Sequence, residues 1–140
     1  MNDPVLVDSN VLLDVVTDDP RWGEWSATTL GRVANESILV VNPLIFAETS
    51  VGFDSIEALE DALPVDMYRR DGLPYEAAFL AGKVFLDYRR RGGSRRSPMP
   101  DFYIGAHAAV AGYRLLTRDA TRYQTYFPTL ELIAPDTRPG

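Results

Sequence analysis

Short apolar segments alternate with longer helical patterns along this chain, and that alternation constrains the fold more than any other feature. The helical patterns carry apolar residues at a spacing of three and four. Strands separated by helices favour crossover connections and a mostly parallel sheet, so the sequence predicts an α/β fold. The predicted strands lie at 4–7, 37–41, 64–68, 114–117 and 130–134.

Helices are predicted between these strands, and two have clear start signals. Asn42 and Ser55 are good N-cap residues, and Pro43 suits the first position of a helix. The Arg/Gly/Ser-rich run 89–97 reads as a loop. Since no repeat or linker divides the chain, we expect one domain over residues 1–140. The predicted helices lie at 8–16, 21–35, 42–53, 55–63, 74–90 and 100–112.

The composition excludes several kinds of chemistry. The 140 residues include no cysteine, which excludes disulfides, thiolate metal sites and a cysteine nucleophile, and which suits a reducing compartment. We see no signal peptide, and no apolar stretch approaches the roughly 20 residues of a membrane helix. We therefore expect a cytoplasmic protein that does not insert into membranes.

The charge is unevenly distributed. Twenty acidic residues against 14 basic ones give a net charge of −6, which by itself argues against a nucleic-acid partner. However, Lys83 is the single lysine, and five arginines lie within the eight residues "RRRGGSRR". A local basic patch is therefore predicted on an otherwise acidic chain. Its arginines are Arg89, Arg90, Arg91, Arg95 and Arg96.

Four carboxylates stand out by their positions. Asp8 and Asp119 follow predicted strands, and in a parallel sheet the carboxyl ends of the strands form the ligand-binding edge. Glu48 shares a helix face with apolar residues, where an unpaired charge is costly. Its alternative reading is a salt-bridged or solvent-facing acid. Asp101 lies in the first turn of its helix, where the helix dipole alone could explain an acid.

Carboxylates that converge on one edge repel each other unless a cation compensates them. Oxygen ligands select hard cations such as Mg²⁺ or Mn²⁺, which can activate water and stabilise a leaving oxygen. The four acids together therefore indicate metal-dependent phosphodiester hydrolysis. The single histidine, His107, lies about 240° around the helix from Asp101, so we expect it to pack or face solvent and not to act in a triad.

The segments "VLVDSNVLLD", "NPLIFAE", "MPDFYIGAHA" and "LLTRD", in this order, resemble the PIN-domain nucleases. More narrowly, they are similar to the VapC-type ribonuclease toxins of type II toxin–antitoxin systems. The resemblance covers the chain from Val5 to Pro135. It implies a five-stranded parallel sheet flanked by helices, and Mg²⁺- or Mn²⁺-dependent cleavage of RNA.

The resemblance also assigns roles to residues. Asp8, Glu48, Asp101 and Asp119 match the acidic, metal-ligating positions of the family. Ser9, Asn10 and Thr117 match polar residues that support the acids. Many relatives carry a further acid where this chain has Arg122, which implies a weaker second metal site or one formed only with substrate.

Partners are implied in the same way. The family tends to form homodimers and to be inhibited by a small antitoxin that covers the acidic pocket. The five clustered arginines are candidates for RNA binding, with a merely solubilising charge run as the alternative. Asp14 we expect to be a solvated acid and not a ligand.

Two other functions stay open at this point. A PIN-like fold without catalysis could serve as an RNA-binding or partner-binding scaffold, although a scaffold has no reason to keep mutually repelling acids. A haloacid-dehalogenase-type phosphatase also uses an Asp after the first strand. That chemistry needs Asp-x-Asp, whereas this chain has Asp8-Ser9-Asn10 and no convincing catalytic lysine.

Overall fold

The structure, a computed structural model, describes residues 3–135. Five strands in this part of the chain form one sheet in which every neighbouring pair is parallel. The predicted α/β class and parallel five-stranded sheet are thus confirmed, and the strand order is β3-β2-β1-β4-β5. The strands are β1 (Pro4–Val7), β2 (Ile38–Val41), β3 (Tyr68–Arg70), β4 (Arg114–Leu116) and β5 (Leu132–Ile133).

Helices flank this sheet and connect its strands. Helix α5 packs along α6, while α1 packs against α2 and α3. A short 3₁₀ turn, Ser50–Gly52, follows α3. The helices are α1 (Ser9–Val16), α2 (Gly23–Glu36), α3 (Pro43–Thr49), α4 (Ile56–Ala62), α5 (Tyr75–Arg90), α6 (Pro100–Ala111) and α7 (Ala120–Tyr126).

The predicted start signals of two helices are confirmed. The side-chain oxygen of Asn42 accepts a hydrogen bond of 2.9 Å from the backbone N–H of Ile45, and Pro43 occupies the first turn of α3. Ser55 caps α4 in the same way, through a 3.1 Å bond from the N–H of Ala58. These caps satisfy backbone donors that a helix start leaves free, so they fix where α3 and α4 begin.

The central strands supply the core. Residues 5–7 of β1 and 115–116 of β4 are fully buried, as expected for parallel strands covered on both faces. His107 on α6 is also buried, and its Nδ1 lies 2.9 Å from the side-chain nitrogen of Asn42. Of the two placements predicted for His107, packed or solvent-facing, the structure shows the packed one. The residue joins α6 to the capped start of α3.

The topology brings several chain segments to one edge of the sheet. Strand β1 pairs with both β2 and β4, so the direction in which strands are added reverses beside β1. In such sheets a crevice forms beyond the carboxyl ends of the strands at this reversal. Helix α3 starts at the carboxyl end of β2, and α6 runs back toward β4, so its N-terminus reaches the same edge.

The third strand lies later in the chain than the predicted range 64–68. The carbonyl of Pro64 accepts hydrogen bonds from the N–H groups of Met67 and Tyr68, which closes a turn over most of that range. Val65 and Met67 in this turn are exposed. Their apolar character suggested a strand, but the turn leaves only residues 68–70 to pair with β2.

Helix α5 ends at Arg90, as the predicted range 74–90 has it, so Arg89 and Arg90 belong to its last turn and the loop predicted over 89–97 begins at Arg91. One helical region differs from the sequence prediction. Helix α7 has no counterpart among the predicted helices, because its seven residues are mostly polar and only Ala120 and Tyr123 are buried. In the described part of the chain, each helix is too short or too polar to cross a membrane.

Candidate functional site

Asp8 lies at the carboxyl end of β1, and its backbone N–H continues the ladder by bonding to the carbonyl of Leu116. The residue is in the N-cap position of α1, yet its carboxylate makes no capping hydrogen bond. Only 4% of the residue is exposed. A capping role therefore does not explain why the chain buries a carboxylate here.

Two hydroxyl groups hold the Asp8 carboxylate. Thr117 and Tyr123 each donate a hydrogen bond of 2.9 Å to the same oxygen, Oδ2. The Thr117 oxygen in turn accepts from the Asn10 amide at 3.2 Å and from the Asp119 N–H at 3.1 Å. The hydroxyls orient Asp8, and the Thr117 hydroxyl links the ends of β1 and β4 across the crevice.

Glu48 approaches the same place from α3. It is half-buried, and its Oε1 accepts a 2.9 Å hydrogen bond from the hydroxyl of Ser9. Ser9 directly follows Asp8, so it holds Glu48 beside the end of β1. Among residues 3–135, neither Asp8 nor Glu48 has a basic group within salt-bridge distance. The salt-bridge alternative for Glu48 is therefore not what the structure contains.

Asp101 and Asp119 lie on the outer side of the cluster and share one cation. Arg122 on α7 places Nη1 2.9 Å from an Asp101 oxygen and Nε 3.2 Å from an Asp119 oxygen. The side chain of Asp101 is 17% exposed and that of Asp119 is 35% exposed. Exposure thus rises from Asp8 outward, and the only basic partner within salt-bridge distance in the described residues lies on the outer side.

The electrostatics of Asp8, Glu48 and Asp101 are coupled. Burial raises the pKa of Asp8 from 3.8 to about 6, with smaller contributions from the charges of Asp101 and Glu48 and an opposing one from its two hydroxyl donors. Burial likewise raises the pKa values of Glu48 and Asp101, and Arg122 lowers both. The acids thus form a negatively charged cluster in which burial and mutual repulsion disfavour the ionised forms, and an added cation would stabilise it.

An open groove of about 520 Å³ leads away from the acids. Its lining includes Glu48, Asp101, Arg122, Arg95 and Tyr126. Arg95 is thus the member of the predicted RNA-binding set that the structure brings to the acids.

The other four arginines of the set are placed differently. The Arg91 guanidinium lies 5.3 Å from the ring centre of Tyr126, at the groove wall. Arg89 donates a 2.6 Å hydrogen bond to the carbonyl of Arg95 and so supports that loop. Arg90 and Arg96 are exposed, and neither is among the residues that line the groove.

Asp14 differs from its prediction. It is not solvated: only 3% of the residue is exposed, and its Oδ2 accepts bonds from Arg118 at 2.7 Å and from Ser26 at 2.8 Å. The expectation of a solvated acid is wrong because Ser26 of α2 and Arg118, which follows β4, both contact the Asp14 carboxylate in the folded chain.

Three residues that contact the acids were not identified as their partners from the sequence. Tyr123 donates to Asp8 from an unpredicted helix, so its position had no signal. Arg118 neutralises Asp14 through a contact spanning 104 residues in sequence. Arg122 was noted only as a non-acidic residue, and its ion pair with Asp119, three residues earlier, was missed because helix α7 was not predicted.

Comparison with known proteins gives two kinds of match. The family model of the PIN domain matches residues 5–128. A sequence search among curated proteins gives no match. Solved structures give several matches at low sequence identity.

The VapBC2 structure from Rickettsia felis, bound to a DNA fragment from its promoter, is 16% identical with a TM-score of 0.72, and the match covers 95% of this chain and 99% of that one. VapBC-1 from nontypeable Haemophilus influenzae is also 16% identical, with a TM-score of 0.69 and coverage of 94% and 97%. A toxin–antitoxin complex from Klebsiella pneumoniae is 17% identical, with a TM-score of 0.67 and coverage of 92% and 95%. At these identities the structures show a shared fold.

Proposed function

We propose, from the premise that this chain belongs to the PIN domain family, that it is an endoribonuclease that hydrolyses RNA phosphodiester bonds with Mg²⁺ or Mn²⁺. One observation carries the proposal. Asp8 is buried with a pKa raised to about 6, beside two further acids, and its bound hydrogen-bond donors are hydroxyls and not cations. Buried acids with raised pKa values cluster at sites where a cation or a reaction uses them, which supports the proposal.

The side chains fit a divalent cation by their chemistry. All candidate ligands are carboxylate oxygens, which select Mg²⁺ or Mn²⁺ over softer metals. Between residues 3 and 135, no group of three or more acidic or histidine side chains is already arranged to hold a metal ion. Arg122 pairs with Asp101 and Asp119, so a cation that binds those same oxygens would replace it there. The residues that would hold the cation are Asp8, Glu48, Asp101 and Asp119.

A bound cation would supply activation of water and stabilisation of the leaving oxygen. The chain's own residues position the acids for that chemistry. Thr117 and Tyr123 fix one oxygen of Asp8 and favour its ionised form. Ser9 holds Glu48 toward Asp8. The groove beside Asp101 would align the RNA strand.

RNA binding is supported by the groove. A negative cluster repels phosphates, so a substrate strand needs nearby cations, and Arg95 lies in the same groove as Asp101. The aromatic rings of Tyr88 and Tyr126 also line the groove and offer surfaces on which unpaired bases could stack. Arginine suits the phosphate role because its planar guanidinium binds two oxygens at once.

We further propose that the protein is the toxin of a VapBC-type pair, is cytoplasmic, forms a homodimer and is inhibited by a small antitoxin. The support is the shared fold, over nearly the whole chain, with structures described as VapBC or toxin–antitoxin complexes. Co-expression with the product of an adjacent small gene, followed by purification of a complex, tests the antitoxin. Light scattering of the purified protein tests the dimer.

The nuclease activity is tested with purified protein and a mixed RNA substrate in Mg²⁺ or Mn²⁺, with and without EDTA. Cleavage that needs the cation and is lost in Asp8→Asn and Asp101→Asn supports the proposal. Asp61→Asn, which changes an exposed acid on α4, serves as the charge-matched control and should cut normally. Cleavage that persists in EDTA would exclude the metal mechanism.

One observation favours the scaffold as a second candidate. Arg122 already neutralises part of the cluster, so the fold tolerates these acids without a metal. A scaffold would bind RNA or a partner in EDTA as well as in Mn²⁺ and would cut no RNA under either condition. The same experiment therefore separates the two functions.

A further inference from the structure

Arg122 occupies a particular place in the acidic cluster. Its guanidinium bridges Asp101 and Asp119 through two different nitrogen atoms, at 2.9 and 3.2 Å. The two acids raise its pKa further above that of an ordinary arginine, against the opposing effect of burial, so it stays charged. One residue of the chain thus supplies the positive charge that the outer half of the cluster requires.

This bridge withholds ligands from any other cation. Asp101 directs one oxygen at Arg122, and Asp119 does the same. A divalent cation that uses the oxygens of Asp101 would lie close to the guanidinium, and two positive charges at that separation repel strongly. Binding of such a cation therefore requires that Arg122 leaves Asp101.

Arg122 can leave without disturbing the fold. Its side chain is 56% exposed, so the freed guanidinium can be hydrated. The helix that carries it is anchored by other residues, because Tyr123 is buried against Asp8 and Phe127 packs on Gly105 of α6. Movement of one long side chain is then sufficient.

We propose that Arg122 is a built-in competitor of the divalent cation, which partly neutralises Asp101 and Asp119 until the cation displaces it. The proposal rests on the metal-dependent function proposed above. It assigns Arg122 a positioning role that sets metal affinity, and it predicts that this protein requires a higher cation concentration than a variant without the guanidinium.

The test is a calorimetric titration of Mn²⁺ into the folded protein, without RNA. Arg122→Gln should bind Mn²⁺ roughly tenfold more tightly than the parent, since a nearby positive charge is removed in a partly solvated site. Arg122→Lys keeps the charge but cannot bridge both acids with two nitrogen atoms, so it should fall between the two. Arg32→Gln, an equal charge change at an exposed pair on α2, should match the parent.

Thermal unfolding supplies a second measurement. In EDTA, Arg122→Gln should be less stable than the parent, because the acids lose their internal cation. In saturating Mn²⁺ it should gain more in Tm than the parent gains. A purely structural arginine would lower Tm in both conditions by the same amount, and that result would contradict the proposal.

The possible failures can be told apart. If the parent and Arg122→Gln bind Mn²⁺ equally and RNA cleavage needs the cation, the competitor role is wrong and the nuclease function stands. If neither protein binds Mn²⁺ and neither cuts RNA, both proposals are overturned.

Discussion

Asp8 and Asp14 lie six residues apart and are almost equally buried, with 4% and 3% of each residue exposed. In both, one oxygen accepts two short hydrogen bonds. At Asp14 the donors are a serine hydroxyl and the Arg118 guanidinium, at 2.8 and 2.7 Å. At Asp8 both donors are hydroxyls.

The difference teaches which buried acid is structural. Arg118 cancels the charge of Asp14, so that pair costs little and joins α1 to the segment after β4. Hydroxyls orient the charge of Asp8 without cancelling it, and burial raises the pKa of Asp8 to about 6. Asp14 is therefore the acid with a structural partner, whereas Asp8 is the acid that we propose binds a cation.

The largest expected effect separates the two acids by activity. Asp8→Asn should reduce RNA cleavage by more than about a hundredfold, because it removes a proposed metal ligand. Asp14→Asn, assayed below its unfolding temperature, should cut within a few-fold of the parent. Initial cleavage rates in saturating Mn²⁺ measure both, and equal losses in the two variants would remove the distinction.

The next effect is on stability and has opposite signs. Asp14→Asn leaves the charge of Arg118 against a neutral amide and should lower the free energy of unfolding by about 2–3 kcal/mol. Asp8→Asn keeps an oxygen for both hydroxyl donors while it removes a buried charge, and should raise that free energy by about 2 kcal/mol at neutral pH. Urea unfolding in EDTA measures both, and a destabilised Asp8→Asn would contradict this account of the cluster.

The stability gain of Asp8→Asn should depend on pH. The folded-state pKa of Asp8, about 6, exceeds its ordinary value of 3.8, so the folded parent takes up a proton as pH falls through 6. The unfolded chain takes up that proton only near 3.8, so the parent gains stability between these two values. The advantage of the variant should therefore be full at about pH 8 and nearly absent at about pH 4. If the stability difference between variant and parent stayed constant across this pH range, the folded-state pKa of Asp8 could not be about 6.

A smaller effect is expected from Tyr123→Phe, which removes one of the two hydroxyl donors to Asp8. Because that bond lowers the pKa of Asp8, its loss should raise the pKa further and shift Mn²⁺ binding to higher pH. The cost in stability should be about 1 kcal/mol. Tyr126→Phe on the same helix is the matched control and should leave the pH dependence of Mn²⁺ binding unchanged.

The smallest effect concerns the groove. Arg95→Ser should weaken RNA binding by about 1 kcal/mol and reduce its salt dependence, while Arg96→Ser should change both less, since Arg96 does not line the groove. Filter binding at two salt concentrations measures this. Equal effects of the two substitutions would show that the arginines act only as an exposed charged segment and that the groove does not bind RNA specifically.

The sheet and its parallel pairing could be predicted because each buried strand appears in the sequence as a short apolar segment between helical patterns. It also placed Asp8 and Asp119 after strands β1 and β4. The turn at Pro64 and helix α7 were not predictable in this way, since a turn closed by one carbonyl and a short polar helix carry no comparable pattern.

The partners of the acids were harder to predict than their positions. Arg118 reaches Asp14 and Tyr123 reaches Asp8 across more than a hundred residues of sequence, so nothing local to either aspartate indicates its partner. The solvated state expected for Asp14 was wrong for this reason. Whether Asp8, Glu48, Asp101 and Asp119 act as a metal site stays a prediction.

The central claim is that Asp8 is kept for a cation whereas Asp14 is not. It is tested most directly by the rise in Tm that Mn²⁺ produces in the parent, in Asp8→Asn and in Asp14→Asn, since a ligand that binds only the folded state raises Tm. We expect Mn²⁺ to stabilise the parent and Asp14→Asn by similar amounts and to leave Asp8→Asn unchanged. Equal stabilisation of Asp8→Asn would show that the cation binds elsewhere and would contradict the account.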